Sequence, residues 1–213
     1  SSPRESLSGA SVGNKVLFAG GGATFQTKGV DIYDNSNNNW SYEERLFTAR
    51  AQMSAITAGN KVFFAGGEEY GPVVSSVVDV YDDNTGNWTH TNLSQARAYM
   101  GGATAGGKVF FAGGWSGSSH SNVVDIFDAS TGNFVQSITL PTARDRLSGA
   151  SVGTKVLFAG GNSPGGFTNV IEIYDTNTGQ WTTKNLSQAR GYMAAVTIGN
   201  KVFFAGGLTT GNL

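Results

Sequence analysis

The chain has 213 residues, 39% of them hydrophobic, and a formal net charge of -1, so it can bury a core and offers no basic face to nucleic acid or an anionic membrane. It contains no Cys, which excludes a disulfide framework and thiolate metal sites without fixing the compartment, although a secreted location is slightly favoured. No apolar run approaches the roughly 20 residues of a membrane span, and "SSPRES" lacks the charged and apolar regions of a signal peptide, so a soluble, mature chain is expected.

In chain order, one strand recurs five times: "KVLFAGG" at 15–21, "KVFFAGG" at 61–67 and 108–114, "KVLFAGG" at 155–161 and "KVFFAGG" at 201–207. The opening lysines are 46, 47, 47 and 46 residues apart, the period of a repeated structural unit. Arg4, Arg50, Arg97, Arg144 and Arg190 each stand 11 residues before a Lys. "VDIYD", "VDVYD", "VDIFD" and "IEIYD" end at Asp34, Asp82, Asp128 and Asp175, and an aromatic follows at Trp40, Trp88, Phe134 and Trp181.

One unit reads as four short strands, a to d, bounded by turn residues and without a sustained helical period. Strand a, such as "MSAITA" at 53–58, carries small residues suited to a crowded position, and "VFFA" in strand b is the unbroken apolar run of a strand covered on both faces. Strand c alternates, with Val30 and Ile32 on one side and Asp31 and Tyr33 on the other, and strand d starts at the Trp after a turn. Such a sheet cannot bury both faces alone, so neighbouring units must pack face to face, and radial closure is the usual solution. The expected units are 3–47, 48–95, 96–142 and 143–189, with 190–213 supplying strands a and b only, all within a single domain, 1–213.

A double Gly after an apolar strand, then "YD" and a Trp, at this period and over the whole chain, resembles the kelch repeat. The resemblance implies an all-β propeller with one four-stranded antiparallel blade per repeat, and a double Gly that lets Tyr and Trp pack close to the backbone. Phe127 and Phe134 depart from the pattern, which is expected to cost only the polar handles of those rings. The half repeat leaves a strand edge that more chain, or another copy, should cover. Residues 7–21 and 147–161 differ at one of fifteen positions, and 53–67 and 193–207 match at twelve, so a triplet of repeats 140 residues long is duplicated. The chain is therefore expected to be a fragment of a six-bladed ring, or an open arc that oligomerises.

The a–b and c–d turns keep constant length, whereas the b–c connections "GATFQTKG", "EEYGPVVSS", "WSGSSHS" and "NSPGGFT" share little. A meander places these loops on the same face as the d–a junctions. Two residues after each Arg the repeat varies again, at Ser6, Gln52, Tyr99, Arg146 and Tyr192, which should ring the mouth of a central channel. In kelch adaptors this face holds the ligand, so the resemblance implies binding by those five residues; the neighbouring arginines Arg50, Arg97, Arg144 and Arg190 and the aromatic Trp115, set beside Gly and Ser as in a sugar or protein contact, are further candidates. For the arginines a scaffold role competes, pairing them with Asp31, Asp79, Asp125 and Glu172. Phe25, Tyr70, Trp115 and Phe167 mark the loops, and sequons at Asn39, Asn87, Asn92 and Asn185 arise from turn and strand-start sequence.

Copper-oxidase propellers need a Cys-crosslinked Tyr with two His, which a chain with no Cys and with only His90 and His120 excludes. A mutarotating propeller needs only an acid or base at the channel mouth, where Glu5, Asp145 and Arg146 are available, but no spacing demands one. The reading is a binding module for a protein or a glycan, with no catalytic residue, metal or cofactor. A self-assembling structural propeller and a carbohydrate-active propeller enzyme are the alternatives.

Overall fold

The computed structural model describes residues 3–209, and among them there is no helix. The first repeat forms β1 (Ser8–Val12), β2 (Lys15–Ala19), β3 (Gly29–Asp34) and β4 (Asn39–Glu44). The second forms β5 (Ser54–Ala58), β6 (Lys61–Ala65), β7 (Val77–Asp82) and β8 (Asn87–Asn92), and the third β9 (Gly101–Ala105), β10 (Lys108–Ala112), β11 (Val123–Asp128) and β12 (Phe134–Thr139). The fourth has β13 (Ser148–Val152) and β14 (Lys155–Ala159), a small inserted hairpin, β15 (Asn162–Ser163) with β16 (Gly166–Phe167), and then β17 (Val170–Asp175) and β18 (Gln180–Asn185). The half repeat adds β19 (Ala194–Ile198) and β20 (Lys201–Ala205). Each of the four complete repeats is an antiparallel sheet whose strands neighbour one another in chain order.

The core lies between sheets. Phe64 of β6 joins Val12, Leu17 and Val30 of the first sheet, while its neighbour Phe63 faces the ring of Phe127 in the third. Successive residues of one strand thus serve two interfaces, which is why the second strand reads as an unbroken apolar run. All five residues of β6 are buried, and each fully buried Phe contributes roughly 1.5–3 kcal/mol. The inner strands β1, β5, β9, β13 and β19 pack in sequence. Space there is short: a Cβ on Gly149 would meet the backbone of Gly102, and one on Gly102 the side chains of Ser54 and Ile56, which accounts for the small residues of this strand.

Two recurring motifs do local work. The Asp of "YD" accepts the backbone amide two residues on, Ser36 to Asp34 at 2.8 Å, Asn84 to Asp82 at 2.9 Å, Ser130 to Asp128 at 3.0 Å and Asn177 to Asp175 at 3.0 Å, which sets the c–d turn. The double Gly holds an inter-blade joint. Gly20, Gly66, Gly113 and Gly160 have φ between 60° and 66°, and a Cβ on any of them would strike the carbonyl oxygen of the next repeat's Arg. The amides of Gly21, Gly67, Gly114 and Gly161 donate to those same carbonyls, from Arg50, Arg97, Arg144 and Arg190, at 2.8–2.9 Å. The contact that requires the first Gly is thus the next blade's backbone, while a Cβ on the second would strike a carbonyl of its own blade, Glu5, Ala51, Ala98 or Asp145, a correction to the expectation of close packing by Tyr and Trp.

The third blade needs a second correction. Tyr and Trp pair across strands c and d in the other blades, with centroids 5.0–5.2 Å apart. Phe127 and Phe134 are also partnered, at 5.6 Å and edge to face, but the register slips between Ile126 and Phe127. The substitution accompanies a bulge in the c–d pairing as well as the loss of polar handles.

Candidate functional site

The recurring arginines sit inside the blades. Arg50, Arg97 and Arg144 are 0% exposed, and each reaches the acid on strand c of its own sheet, Asp79, Asp125 and Glu172 respectively. Arg144 also donates to the carbonyls of Gly160 at 3.0 Å and Val170 at 2.9 Å, and Arg50 and Arg97 repeat that pattern. Burial opposes charge on both sides of these pairs: it lowers the Arg50 and Arg144 pKa and raises those of Asp79 and Glu172, with the partner's charge pulling the other way. These guanidinium groups are consumed by the scaffold. The ligand role expected of Arg50, Arg97 and Arg144 is therefore corrected to a structural one. Arg4 pairs with Asp31 likewise, whereas Arg190 is half-buried with no acid against it among the described residues.

Two residues on, the chain does something unusual. Ser6, Gln52, Tyr99, Arg146 and Tyr192 all have φ between 55° and 58°, the left-handed region that costs an L residue about 1–2 kcal/mol. Apart from Asn38 in a c–d turn, they are the only non-glycine residues there among the described ones. Their backbones join blade to blade: the amide of Gln52 donates to the carbonyl of Ser6 at 3.1 Å, Tyr99 to Gln52 at 3.3 Å, Arg146 to Tyr99 at 2.9 Å and Tyr192 to Arg146 at 3.0 Å. This chain of bonds runs along the inner rim immediately before the inner strands and turns five side chains onto one face.

Those side chains are unequal. Gln52 Nε2 donates to Ser6 Oγ at 2.7 Å beside a cavity of about 140 Å³. Arg146 lies over the Tyr99 ring at 4.6 Å and the Tyr192 ring at 5.3 Å, its Nε donating to the Tyr192 hydroxyl and Nη1 to both Asp145 oxygens at 2.7 and 2.8 Å. Burial disfavours the Arg146 charge, but Tyr192 and Asp145 outweigh it and keep its pKa raised. Burial, together with a 3.0 Å hydrogen bond to Glu68, pushes the Tyr99 phenol up to about 12. Asp145 is fully buried, with His120 Nδ1 at 3.4 Å, and the His120 ring meets Trp115 edge to face at 5.4 Å. With Asn162 these groups line a cavity of about 360 Å³, so the structure brings Tyr99, Arg146 and Trp115 together with Tyr192 alongside, and sets Ser6 and Gln52 apart.

Glu68, His120 and Asn162 are the lining residues that the sequence reading missed. A signal existed: Glu68, Trp115 and Asn162 each directly follow a double Gly, and Gly22 and Leu208 stand there in the other repeats, so the position varies. In the fold it bridges to the residue after the Arg, as in Ala51 with Glu68, Ala98 with Trp115 and Asp145 with Asn162. His90 is elsewhere, stacked on Phe47 at 4.1 Å. Among the described residues no group of three His, Cys, Asp or Glu could hold a metal ion. A groove of about 300 Å³ between the first two blades, lined by Trp40, Trp88, Lys15 and Asp34, lies at the c–d turns; its tryptophans already stack on Phe18 and Phe64.

The KLHDC2/KLHL20/DRC7 Kelch-repeats domain model matches residues 6–207. The chain belongs to the kelch-repeat family. No curated protein matches it. Among solved structures it is similar to "Structure of YjhT", at 17% identity and a TM-score of 0.81, over 98% of this chain and 78% of that one, a likeness of fold. The kelch propeller explains why the variable side chains converge: its inner strands bring the d–a junction of every blade to one rim, while the b–c loops stand around it.

Proposed function

We propose that this kelch propeller is a non-catalytic recognition module that binds a protein or glycan on the rim formed by the b–c loops and d–a junctions. The observation that carries the reading is the row of left-handed residues. Among the described residues glycine serves at 22 positive-φ positions, so the fold uses it wherever nothing else is needed. At Ser6, Gln52, Tyr99, Arg146 and Tyr192 side chains are kept at a conformational cost, and strain of this kind collects at ligand sites. Tyr, Trp and Arg also dominate binding hot spots, and here Tyr99, Tyr192, Trp115 and Arg146 cluster in one sector. A glycan array and a displayed peptide library, each screened with the native chain and with Tyr99→Ala, test the proposal: ligands selected by the native chain should be lost by the variant.

In the same reading the repeats are part of a six-bladed ring, supported by the duplicated triplet.

A further inference from the structure

The larger rim cavity is lined by one arginine and two carboxylates, and they are not equally engaged. Arg146 Nη1 binds both oxygens of Asp145, its Nε donates to the Tyr192 hydroxyl, and its Cζ lies over the Tyr99 ring. Asp145, 0% exposed, is neutralised by that contact. Glu68 is different. Its Oε2 accepts the Tyr99 hydroxyl at 3.0 Å, and no cation pairs with it among the described residues. Glu68 also lines two cavities at once, the one of about 360 Å³ with Tyr99, Trp115 and Asn162, and the one of about 140 Å³ with Glu5 and Gln52. The rim thus keeps a negative charge beside an aromatic wall, while its arginine is already occupied.

The surface next to Glu68 is apolar. The b–c loop that Glu68 opens presents Tyr70 at 70% exposure and Val73 at 54%, and Phe25 of the first blade stacks on Tyr70 at 5.3 Å. The loop stands against that of the third blade, where a Cβ on Gly117 would lie 3.5 Å from Val74. Described blades flank the second blade on both sides, so the exposure of Tyr70 and Val73 is that of a finished blade.

We propose that this sector is a docking site for a basic, apolar segment of a partner protein, whose arginine enters the larger cavity with its guanidinium on Glu68 and against Trp115. The inference rests on the rim reading above and commits it to a protein. The rim supplies its own precedent, because Arg146 is held by a carboxylate and by tyrosine rings in the same way. A planar fork matches a carboxylate and stacks on a ring, so arginine fits better than lysine. A ligand carboxylate would instead meet an occupied Arg146 and be opposed by Glu68. Tyr70 and Val73 extend the contact to apolar side chains of the segment.

The test pans a displayed peptide library on the native chain and measures a selected peptide by fluorescence anisotropy against the native, Glu68→Gln and Tyr99→Ala chains. Selected sequences should be enriched in Arg over Asp and Glu. Affinity should fall on the order of tenfold or more with Glu68→Gln, and equally when citrulline, its uncharged isostere, replaces the peptide's Arg. The two changes together should weaken binding little more than either alone. The citrulline peptide leaves the protein untouched, so a folding defect in the Glu68 variant cannot mimic the effect. Failure to select any peptide, or selection of acidic ones, would overturn the proposal. Peptides that bind the native and Glu68→Gln chains alike but are lost by Tyr99→Ala would overturn it and leave the rim reading standing. Peptides indifferent to both substitutions would remove the rim reading as well.

Discussion

The amide of Arg146 donates to the carbonyl of Tyr99 across 2.9 Å, and both residues hold a left-handed backbone. One bond thus spans two blades and fixes the stacking of the Arg146 guanidinium on the Tyr99 ring. Rim shape and rim chemistry are set by the same residues.

If those residues are kept for binding at the expense of folding, Gln52→Gly should stabilise the chain by about 0.5–1 kcal/mol, because Gly adopts φ near 55° without a Cβ clash. Gln52→Ala keeps the Cβ, loses the bond to Ser6 and should bring no gain. Urea unfolding of the two variants, at equal m-value, checks this.

The inter-blade role of the double Gly gives a paired prediction. Gly66→Ala places a Cβ on the Arg97 carbonyl oxygen and should cost more than about 3 kcal/mol. Gly206→Ala meets nothing within 4 Å among the described residues and should cost only the left-handed backbone penalty, about 1–2 kcal/mol. Thermal midpoints would separate them, and similar losses at both sites would return the motif to a role within its own blade.

The repeat, its strands and the face-to-face packing were legible in the sequence because apolar runs and turn residues recur at fixed spacing, as at Lys15, Lys61 and Lys108. The rim conformation was not, since Gly, the usual sign of positive φ, is absent from Ser6, Gln52, Tyr99, Arg146 and Tyr192. Glu68 and Asn162 escaped because each occurs once, in loops that resemble no other copy. The scaffold role of Arg50, Arg97 and Arg144 was readable as a pairing with the acid of strand c, whereas their complete burial was not.

Breaking a buried pair from the acid side should be severe. Asp125→Asn leaves Arg97, 0% exposed, without a counter-charge and should cost about 3–5 kcal/mol. The better exposed Lys155–Asp175 pair offers the contrast: Lys155→Ala should cost under about 1 kcal/mol. Chemical denaturation measures both.

Two pH dependences follow. The Tyr99 phenol titrates at about 12 in the fold against 10.0 unfolded, so its contribution is complete below pH 10.0 and lost as pH rises to about 12. Asp128, held at about 2 by the Ser130 hydroxyl and the Thr131 amide against 3.8 unfolded, contributes above pH 3.8 and loses that contribution as pH falls to about 2. Comparing stability profiles with Tyr99→Phe and Asp128→Asn should remove each limb separately.

The most direct test of the rim as binding site is a matched pair of substitutions read on the same selected ligand by calorimetry. Tyr99→Ala should weaken binding by about 1–4 kcal/mol, whereas Asn84→Ala, exposed in a c–d turn on the opposite face, should leave affinity unchanged. Loss of binding with Asn84→Ala and full affinity with Tyr99→Ala would contradict the account.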